Sequence, residues 1–330
     1  MMDQNTFRTI VDIAKYAPSA HNTQPARWSL QDNGSILVSA DLSRRLLVGD
    51  PEDRDLLIAC GAAVEGTVLA MAQIGQGAQV QTVSAPAATG YRPMAVIVPT
   101  ADANPEDIVL SKYVKQRLTH RLGFAPSSQP HDLTSLRHSC VTLVQDSDQI
   151  AWLSTEIDQA SARIMRDPNF RAELLNWMRL STRHARYHED GLNKATLAMG
   201  RVTAWLTRPI LGSPLYRFLS ACGLGPTISG EAAKSRTSSA ILLFHWPKNG
   251  KMIDAGRMFY RTWLNMTAIG LAGWPAAALA DDDHTADQIS TRFQLPRDHV
   301  LFNALRLGST SVATPPNKRL TTTEVIIHSC

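Results

Sequence analysis

The spacing of apolar residues predicts alternating helices and strands along the whole chain. Apolar residues recur at helical spacing from Phe7 to Ala14 and predict a helix over 6–16. The remaining predicted elements are helices over 53–74, 131–138, 150–165 and 253–269, and strands near 28–30, 36–39, 80–83, 94–98, 141–144, 240–244, 301–307 and 321–328. This mixture predicts an α+β fold in which long helices cover a central, mainly antiparallel sheet.

The apolar run from Leu56 to Ile74 is long enough to cross a membrane. It contains Glu65, however, and the charged residues Asp53 and Asp55 lie at its start. These charges favour a helix that is buried on all sides of a folded domain over a membrane span.

One helical pattern occurs twice in the chain. Residues 58–75 align without a gap on residues 253–270, and seven positions are identical at a constant offset of 195: Ile, Gly, Thr, Leu, Met, Ile and Gly. The identity predicts an internal duplication, although two unrelated buried helices would also share some apolar residues. We therefore predict two fused repeats, 1–113 and 114–330.

The second repeat contains a long insertion, at about 166–235, that has no counterpart in the first. Glycines and prolines interrupt its apolar runs. A segment of this kind is either a lid over a binding site or a helical excursion on the surface. Trp177 and Trp205 are candidates to pack over a site if the segment is a lid, with a plain core role as the alternative.

Composition excludes several function classes. The formal net charge of +4 is too small for a nucleic-acid-binding surface. The four cysteines include no Cys-x-x-Cys pair, and the first residues lack the pattern of a signal peptide, so we expect reduced thiols in a cytoplasmic protein. The acidic run 281–284 is typical of a solvated loop rather than a metal site, and no hydrolase or P-loop motif appears. The sequence therefore assigns no catalytic side chain and no metal ligand.

Two polar segments suggest a ligand. Between Pro18 and Pro25 the chain offers Ser, His, Asn and Gln side chains, which together could recognise the edge of a flat polar ring or form an ordinary surface turn. If the chain is extended at 117–121, Arg117, Thr119 and Arg121 project from one side and place a hydroxyl between two guanidinium groups. That set suits a phosphate, although a solvated edge strand has the same pattern.

The segment Ala17-Pro-Ser-Ala-His-Asn-Thr-Gln-Pro25 resembles the flavin-edge loop of the nitroreductase family, and its histidine is similar to that of the Acg-like branch. Residues 117–124 resemble the Arg-x-Ser-x-Arg-x-Phe signature that holds the FMN phosphate, with threonine in place of serine. Residues 317–320 resemble a late basic motif that closes on the same phosphate, and residues 270–278 resemble the turn that faces flavin N5. The resemblance assigns these residues to FMN binding: Pro18, Ser19, Ala20, His21, Asn22, Gln24, Arg117, Thr119, Arg121, Pro275, Ala276, Ala277 and Arg319.

Two positions depart from the family pattern. Ala26 stands where an aromatic residue usually follows the second proline, and Ala277-Ala278 stands where the family often has Glu-Gly. A backbone contact at the second position would survive, whereas a side-chain contact would not.

The resemblance implies a nitroreductase-like fold of two fused half-repeats, one FMN per chain, and a chain that can act as a monomer because it contains its own dimer-like partner. It also implies electron transfer from NAD(P)H to an electron-poor acceptor such as a nitroaromatic or a quinone. The alternative is a protein that stores FMN with little or no turnover. One sequence does not identify the acceptor or the choice between NADH and NADPH.

Overall fold

A computed structural model of the chain describes residues 2–87, 89–126, 131–212, 216, 230–316 and 318–327. The helices are α1 Gln4–Ala14, α2 Arg54–Gln73, α3 Pro105–Ser111, α4 Ser147–Ile164, α5 Pro168–Trp177, α6 Arg201–Leu211, α7 Ala232–Ser235, α8 Met252–Ala268, α9 Ala278–Asp281, α10 Asp283–Arg292 and α11 Thr322–Val325. The strands are β1 Ala26–Leu30, β2 Ile36–Asp41, β3 Gln76–Thr82, β4 Tyr91–Asp102, β5 Val141–Val144, β6 Met178–Arg179, β7 Leu192–Asn193, β8 Ala240–Pro247, β9 Ala272–Pro275 and β10 His299–Gly308. The predicted α+β class is confirmed.

The long strands form two four-stranded antiparallel sheets. Their orders are β1-β2-β4-β3 and β5-β8-β10-β9. Each sheet therefore has the same arrangement, with the strand before the long helix (β2 or β8) next to the last strand (β4 or β10). The short strands β6 and β7 form a separate parallel pair inside the insertion.

Helices α2 and α8 pack against each other between the two sheets. Gly61 of α2 lies on the backbone of α8, where an added Cβ would be 3.0 Å from the Cα of Gly256. The apolar window of α2 is 89% buried within the fold, which agrees with its interpretation as a core helix. The indole N–H of Trp28 in β1 donates to the hydroxyl of Thr67 at 2.9 Å and fixes the first sheet on this helix.

Strand β8 is buried on both faces. Ala240, Leu242 and Phe244 contact the core that contains α8, whereas Ile241 and Leu243 contact the core formed with α4. Successive side chains of a strand point to opposite faces, so a continuous apolar run is what a sheet covered by helices on both sides requires.

Two predicted elements are wrong. Residues 131–138 contain only a short 3-10 turn, Thr134–Leu136, because the chain turns back and His138 already bridges to Val141. The predicted strand at 321–328 begins with helix α11, whose first turn is closed by reciprocal hydrogen bonds between Thr321 and Glu324. Residue 328 lies outside the described residues.

Two segments far apart in sequence complete the edges of the two sheets. The N–H of Ile327 donates to the carbonyl of Trp28 at 2.9 Å, so residues 326–327 border β1. The N–H of His120 donates to the carbonyl of Gly273 at 2.9 Å, so residues 119–120 border β9. Thr119 and Arg319, which are 200 residues apart in sequence, line one cavity.

Candidate functional site

A cavity of about 230 Å³ is lined by residues of both α2 and α8 and of the loops around them. Ten of the thirteen residues predicted from sequence line it: Pro18, Ser19, Ala20, His21, Asn22, Thr119, Arg121, Pro275, Ala277 and Arg319. Gln24, Arg117 and Ala276 do not line it. The cavity thus collects residues from four separate segments of the chain.

The loop at 18–24 adopts a backbone that L-residues rarely adopt. His21, Asn22 and Gln24 have φ values of 47°, 56° and 51°. Three non-glycine residues in the left-handed region cost free energy, and such residues concentrate at ligand sites. The hydroxyl of Ser19 accepts from the N–H of Gln24 at 2.9 Å and closes the loop.

Asn22 and Gln24 hold this loop in place from behind. The Asn22 amide donates to the carbonyls of Gly191 and Lys318 and accepts from Arg319 at 2.6 Å. The Gln24 amide donates to the carbonyl of Glu189 at 3.0 Å and accepts from the N–H of Leu320 at 2.9 Å. Both polar atoms of the Gln24 amide thus brace the loop, and Gln24 does not line the cavity.

His21 is neutral at ordinary pH. Burial and, secondarily, the positive charge of Arg121 lower the pKa of His21 to about 4, against a smaller opposing effect of Glu173. A neutral imidazole can both donate and accept a hydrogen bond, which suits a polar ring edge.

Three arginines have buried nitrogen atoms without a hydrogen-bond partner among the described residues: Arg121 and Arg319 on the cavity wall, and Arg117 next to the wall residue Trp263. These atoms are Nε and Nη1 of Arg117 and the Nε atoms of Arg121 and Arg319. Arg117 is only 3% exposed and lies 4.4 Å over the ring of Trp263, which itself lines the cavity. Unsatisfied buried donors of this kind are costly unless a ligand supplies acceptors.

Two of these arginines repel each other. Burial and the neighbouring charge of Arg117 lower the pKa of Arg319 to about 9. Burial also lowers the pKa of Arg117, and the group that opposes this effect is Tyr260, which is not a carboxylate. Two close guanidinium groups without an acidic neighbour among the described residues form a site for an anion.

The turn after β9 contributes backbone and small side chains. Pro275 and Ala277 line the cavity. The N–H of Ala276 donates to the carbonyl of Ala304 at 2.8 Å, and its side chain packs into the core of the second sheet, so this residue faces away from the cavity.

The insertion contributes Phe170 and Leu192 to the cavity wall. The tryptophans considered for this role lie elsewhere: Trp177 packs under the guanidinium of Arg179, and Trp205 is 75% exposed. Part of the insertion, 213–215 and 217–229, lies outside the described residues. In the described part, Asp190 is 1% exposed and accepts from Arg179 and also from Arg44 and Arg186, which anchors the insertion next to the loop at 18–24.

Sequence reasoning missed the remaining wall residues. They are Leu46, Gly49, Asp55, Ile58, Ala59, Phe170, Leu192, Phe259, Trp263, Asp281 and Asn303. A usable signal existed for Phe259 and Trp263, because they lie four residues apart on a repeat helix and so share one face. Asp281, which was predicted to lie in a solvated acidic run, is exposed and in addition lines the cavity and binds Arg54. Among the described residues no three His, Cys, Asp or Glu side chains converge as metal ligands would.

Comparison with known proteins agrees with the sequence motifs. No protein-family model matches the chain. "Putative NAD(P)H nitroreductase Rv3131" of Mycobacterium tuberculosis H37Rv is 33% identical over 129 residues, which is 37% of this chain and 35% of that protein, so the match spans about a third of that relative. "Putative NAD(P)H nitroreductase acg" of the same organism is 26% identical over 291 residues, covering 82% of this chain and 80% of that protein. The similarity to these two relatives supports the resemblance to the nitroreductase family, Acg-like branch, that the sequence motifs indicate.

Two solved structures show looser likenesses to this chain. A "putative nitroreductase" from Anabaena variabilis ATCC 29413 has a TM-score of 0.44 at 10% identity, over 94% of this chain and 90% of that one. The FMN-dependent nitroreductase NfnB from Mycobacterium smegmatis, solved with NADPH, has a TM-score of 0.38 at 17% identity, over 67% and 99%. Because these similarities are distant, they assign no role to individual residues of this chain.

Proposed function

We propose that the cavity binds one FMN per chain. The observation that carries this proposal is the set of partnerless buried guanidinium nitrogens on Arg117, Arg121 and Arg319. A phosphate supplies acceptors for these nitrogens and the negative charge that Arg117 and Arg319 lack. The donor set therefore fits FMN, and Thr119 adds a hydroxyl on the cavity wall.

Each wall of the cavity has its own role in this proposal. Ser19, His21 and Asn22 lie at the polar edge of the flavin ring, and the insertion and Arg319 hold the loop in which His21 and Asn22 have a left-handed backbone. Pro275 and Ala277 border the reactive side of the ring with backbone atoms. The aromatic side chains of Phe259 and Trp263 supply apolar area and exclude water.

The proposed reaction is the transfer of electrons from NAD(P)H to an electron-poor acceptor, such as a nitroaromatic or a quinone. Bound FMN would supply the two-electron chemistry, and the chain would bind, orient and shield it. Support for NAD(P)H as the donor comes from the names of the two mycobacterial relatives. We also propose that the protein is cytoplasmic and acts as a monomer.

Purification and an anaerobic titration test it. We expect a yellow protein with one FMN per chain, whose flavin absorbance is bleached by NADH or NADPH and restored by a quinone. A colourless protein that takes up no added FMN, or a stoichiometry of two, would contradict the proposed site.

A second function, storage of FMN with little turnover, is favoured by one observation. The insertion contributes Phe170 and Leu192 to the cavity wall and is anchored to Arg44 through Asp190, so it would restrict the access of a hydride donor. The same titration separates the two functions, because a storage protein would keep its flavin oxidised in excess NADH and NADPH.

The insertion can also be removed. Replacement of residues 165–236 by a Gly/Ser linker deletes the carbonyls of Glu189 and Gly191 that hold Gln24 and Asn22. We therefore expect the trimmed protein to lose FMN. A trimmed protein that keeps FMN and is reduced faster would instead identify the insertion as a gate.

A further inference from the structure

Three carboxylates and one guanidinium meet at one side of the cavity. Arg54, in the first turn of α2, donates to Asp281 and lies 3.5 Å from the carboxylate of Asp55. Asp50, in the loop before α2, accepts from the N–H of Leu56 at 2.9 Å. Asp55 and Asp281 both line the cavity.

This cluster has more negative than positive charge. Arg163 of the neighbouring helix α4 does not pair with these carboxylates, because it donates to Asp282 at 2.8 Å and to Thr285 at 2.6 Å. One guanidinium does not neutralise three carboxylates, and like charges that share a site retain a proton. Burial and the carboxylate of Asp55 raise the pKa of Asp281 to about 7, and Arg54 opposes them.

The position of Asp281 fits a role in chemistry. It lies four residues, or about one helical turn, after Ala277, which borders the proposed reactive side of the flavin. Its side chain is 25% exposed, so water can reach the carboxyl group.

Other titratable groups on the cavity wall are poor proton donors at neutral pH. His21 is neutral because its pKa is lowered to about 4. Arg121 and Arg319 are positively charged and bind the anion in the proposed site. Among the described wall residues this leaves the pair Asp55 and Asp281.

We propose that protonated Asp281 is the proton donor to the acceptor during its reduction. The inference rests on the proposed function and adds a residue to it. A quinone that takes two electrons and one hydrogen, as a hydride, from the reduced cofactor needs one further proton to become a hydroquinone. That proton leaves the Asp281 carboxyl group, and the resulting carboxylate regains a proton from water. Asp55 is a positioning residue, since its negative charge keeps the proton on Asp281.

The first test measures protonation without turnover. Infrared spectra of the cofactor-free protein are titrated with pH, and the band of protonated carboxyl groups is followed. We expect a component that titrates near pH 7 in the wild type, is missing in Asp281→Asn, and moves to lower pH in Asp55→Asn. A component that survives in Asp281→Asn with an unchanged midpoint would overturn the inference. If Asp281→Asn does not fold, an unchanged midpoint in Asp55→Asn would also overturn the inference.

The second test separates the two half-reactions in FMN-bound protein. Oxidation of the reduced protein by benzoquinone should be slower by on the order of 10-fold or more in Asp281→Asn. In the wild type the oxidation rate should decrease above neutral pH, and this decrease should be absent in Asp281→Asn. Reduction by NADPH should change much less, and Asp281→Glu should restore the pH profile. Asp287→Asn, an exposed acid on α10, is the matched control.

The two tests distinguish failure of the proton-donor role from failure of the proposed function. A wild type that binds no FMN contradicts the proposed function and the proton donor with it. An Asp281→Asn protein that binds FMN and is oxidised at the wild-type rate, with the wild-type pH profile, contradicts the proton donor alone.

Discussion

Gly61 of α2 and Gly256 of α8 pack against each other where the two helices cross. A Cβ on Gly61 would overlap the carbonyl oxygen of Ile253, and a Cβ on Gly256 would overlap the carbonyl oxygen of Ile58. Gly61 and Gly256 are separated by 195 residues, and so are Ile58 and Ile253, which is the offset between the two copies of the sequence pattern. The contact is thus reciprocal, as it is at a two-fold axis between identical subunits.

Alanine at either glycine should destabilise the protein strongly. The added methyl group meets backbone atoms, which cannot rotate away, so we expect a loss of about 3 kcal/mol or more in the free energy of unfolding for Gly61→Ala and for Gly256→Ala. Urea unfolding measures it. Gly66→Ala on the same helix is the control, because its Cβ would lie 3.1 Å from the carbonyl oxygen of Ala14, and we expect a change within about 1 kcal/mol. Equal effects at Gly61 and Gly66 would show that the crossing is looser than described.

Arginine variants should discriminate FMN from riboflavin. Each charge-assisted bond to the phosphate contributes about 1.5–3 kcal/mol, so Arg117→Ala and Arg121→Ala should weaken FMN binding by about 10- to 150-fold and riboflavin binding much less. Arg319→Ala should weaken both ligands, because Arg319 also braces Asn22 and the carbonyl of Tyr16.

Titration calorimetry with both ligands checks these expectations. Arg292→Ala is the matched control, since Arg292 lies 4.5 Å over Trp152 as Arg117 lies over Trp263, but far from the cavity wall. Equal losses for FMN and riboflavin in Arg117→Ala would place the phosphate elsewhere.

His21 should make the protein sensitive to mild acid. Its pKa is about 4 in the folded chain and about 6.5 in the unfolded chain, so protons bind the unfolded state more tightly. The free energy of unfolding should therefore be highest above pH 6.5 and should fall by up to about 3 kcal/mol as the pH decreases towards 4.

The variant His21→Asn removes this dependence while tolerating the left-handed backbone. His245, whose pKa is also lowered to about 4 by burial, contributes equally to both proteins. The difference between the two unfolding profiles thus isolates His21. Parallel profiles would mean that His21 is solvated in the folded state.

Asp190 should matter far more than its neighbour Glu189. Asp190→Asn leaves Arg179, Arg44 and Arg186 around a site without a negative charge, and we expect a loss of about 3–5 kcal/mol together with weaker FMN binding. Burial disfavours the charged form of Asp190, but the bonds from Arg186 and Arg179 outweigh it and hold its pKa below the ordinary value.

Glu189→Gln is the control for Asp190. The Glu189 side chain is 39% exposed and lies 3.6 Å from Arg186, so its loss should cost less than about 1 kcal/mol. Urea unfolding and FMN titration of both variants measure the difference. Comparable losses would show that the anchor of the insertion does not depend on the Asp190 charge.

Several features were predictable because they depend on local sequence. Long apolar runs predict buried elements, and they predict the helices α2 and α8 and the strands β8 and β10. The loop at 18–24 carries its own prolines and capping hydroxyl, and the alternation at 119–121 is a property of consecutive residues. Ten predicted residues therefore reached one cavity.

The tertiary structure decided everything that depends on which distant segments meet. Gln24 braces the loop only because Glu189 and Leu320 lie behind it. The pKa of Asp281 is raised only because the fold partly buries this side chain and places the carboxylate of Asp55 beside it. The short elements at 131–138 and 321–328 are too weak on their own, so turns and sheet edges determined their form. Sequence periodicity specifies which face of an element is buried, whereas burial, pKa and hydrogen-bond partners are set by neighbours that lie far away along the chain.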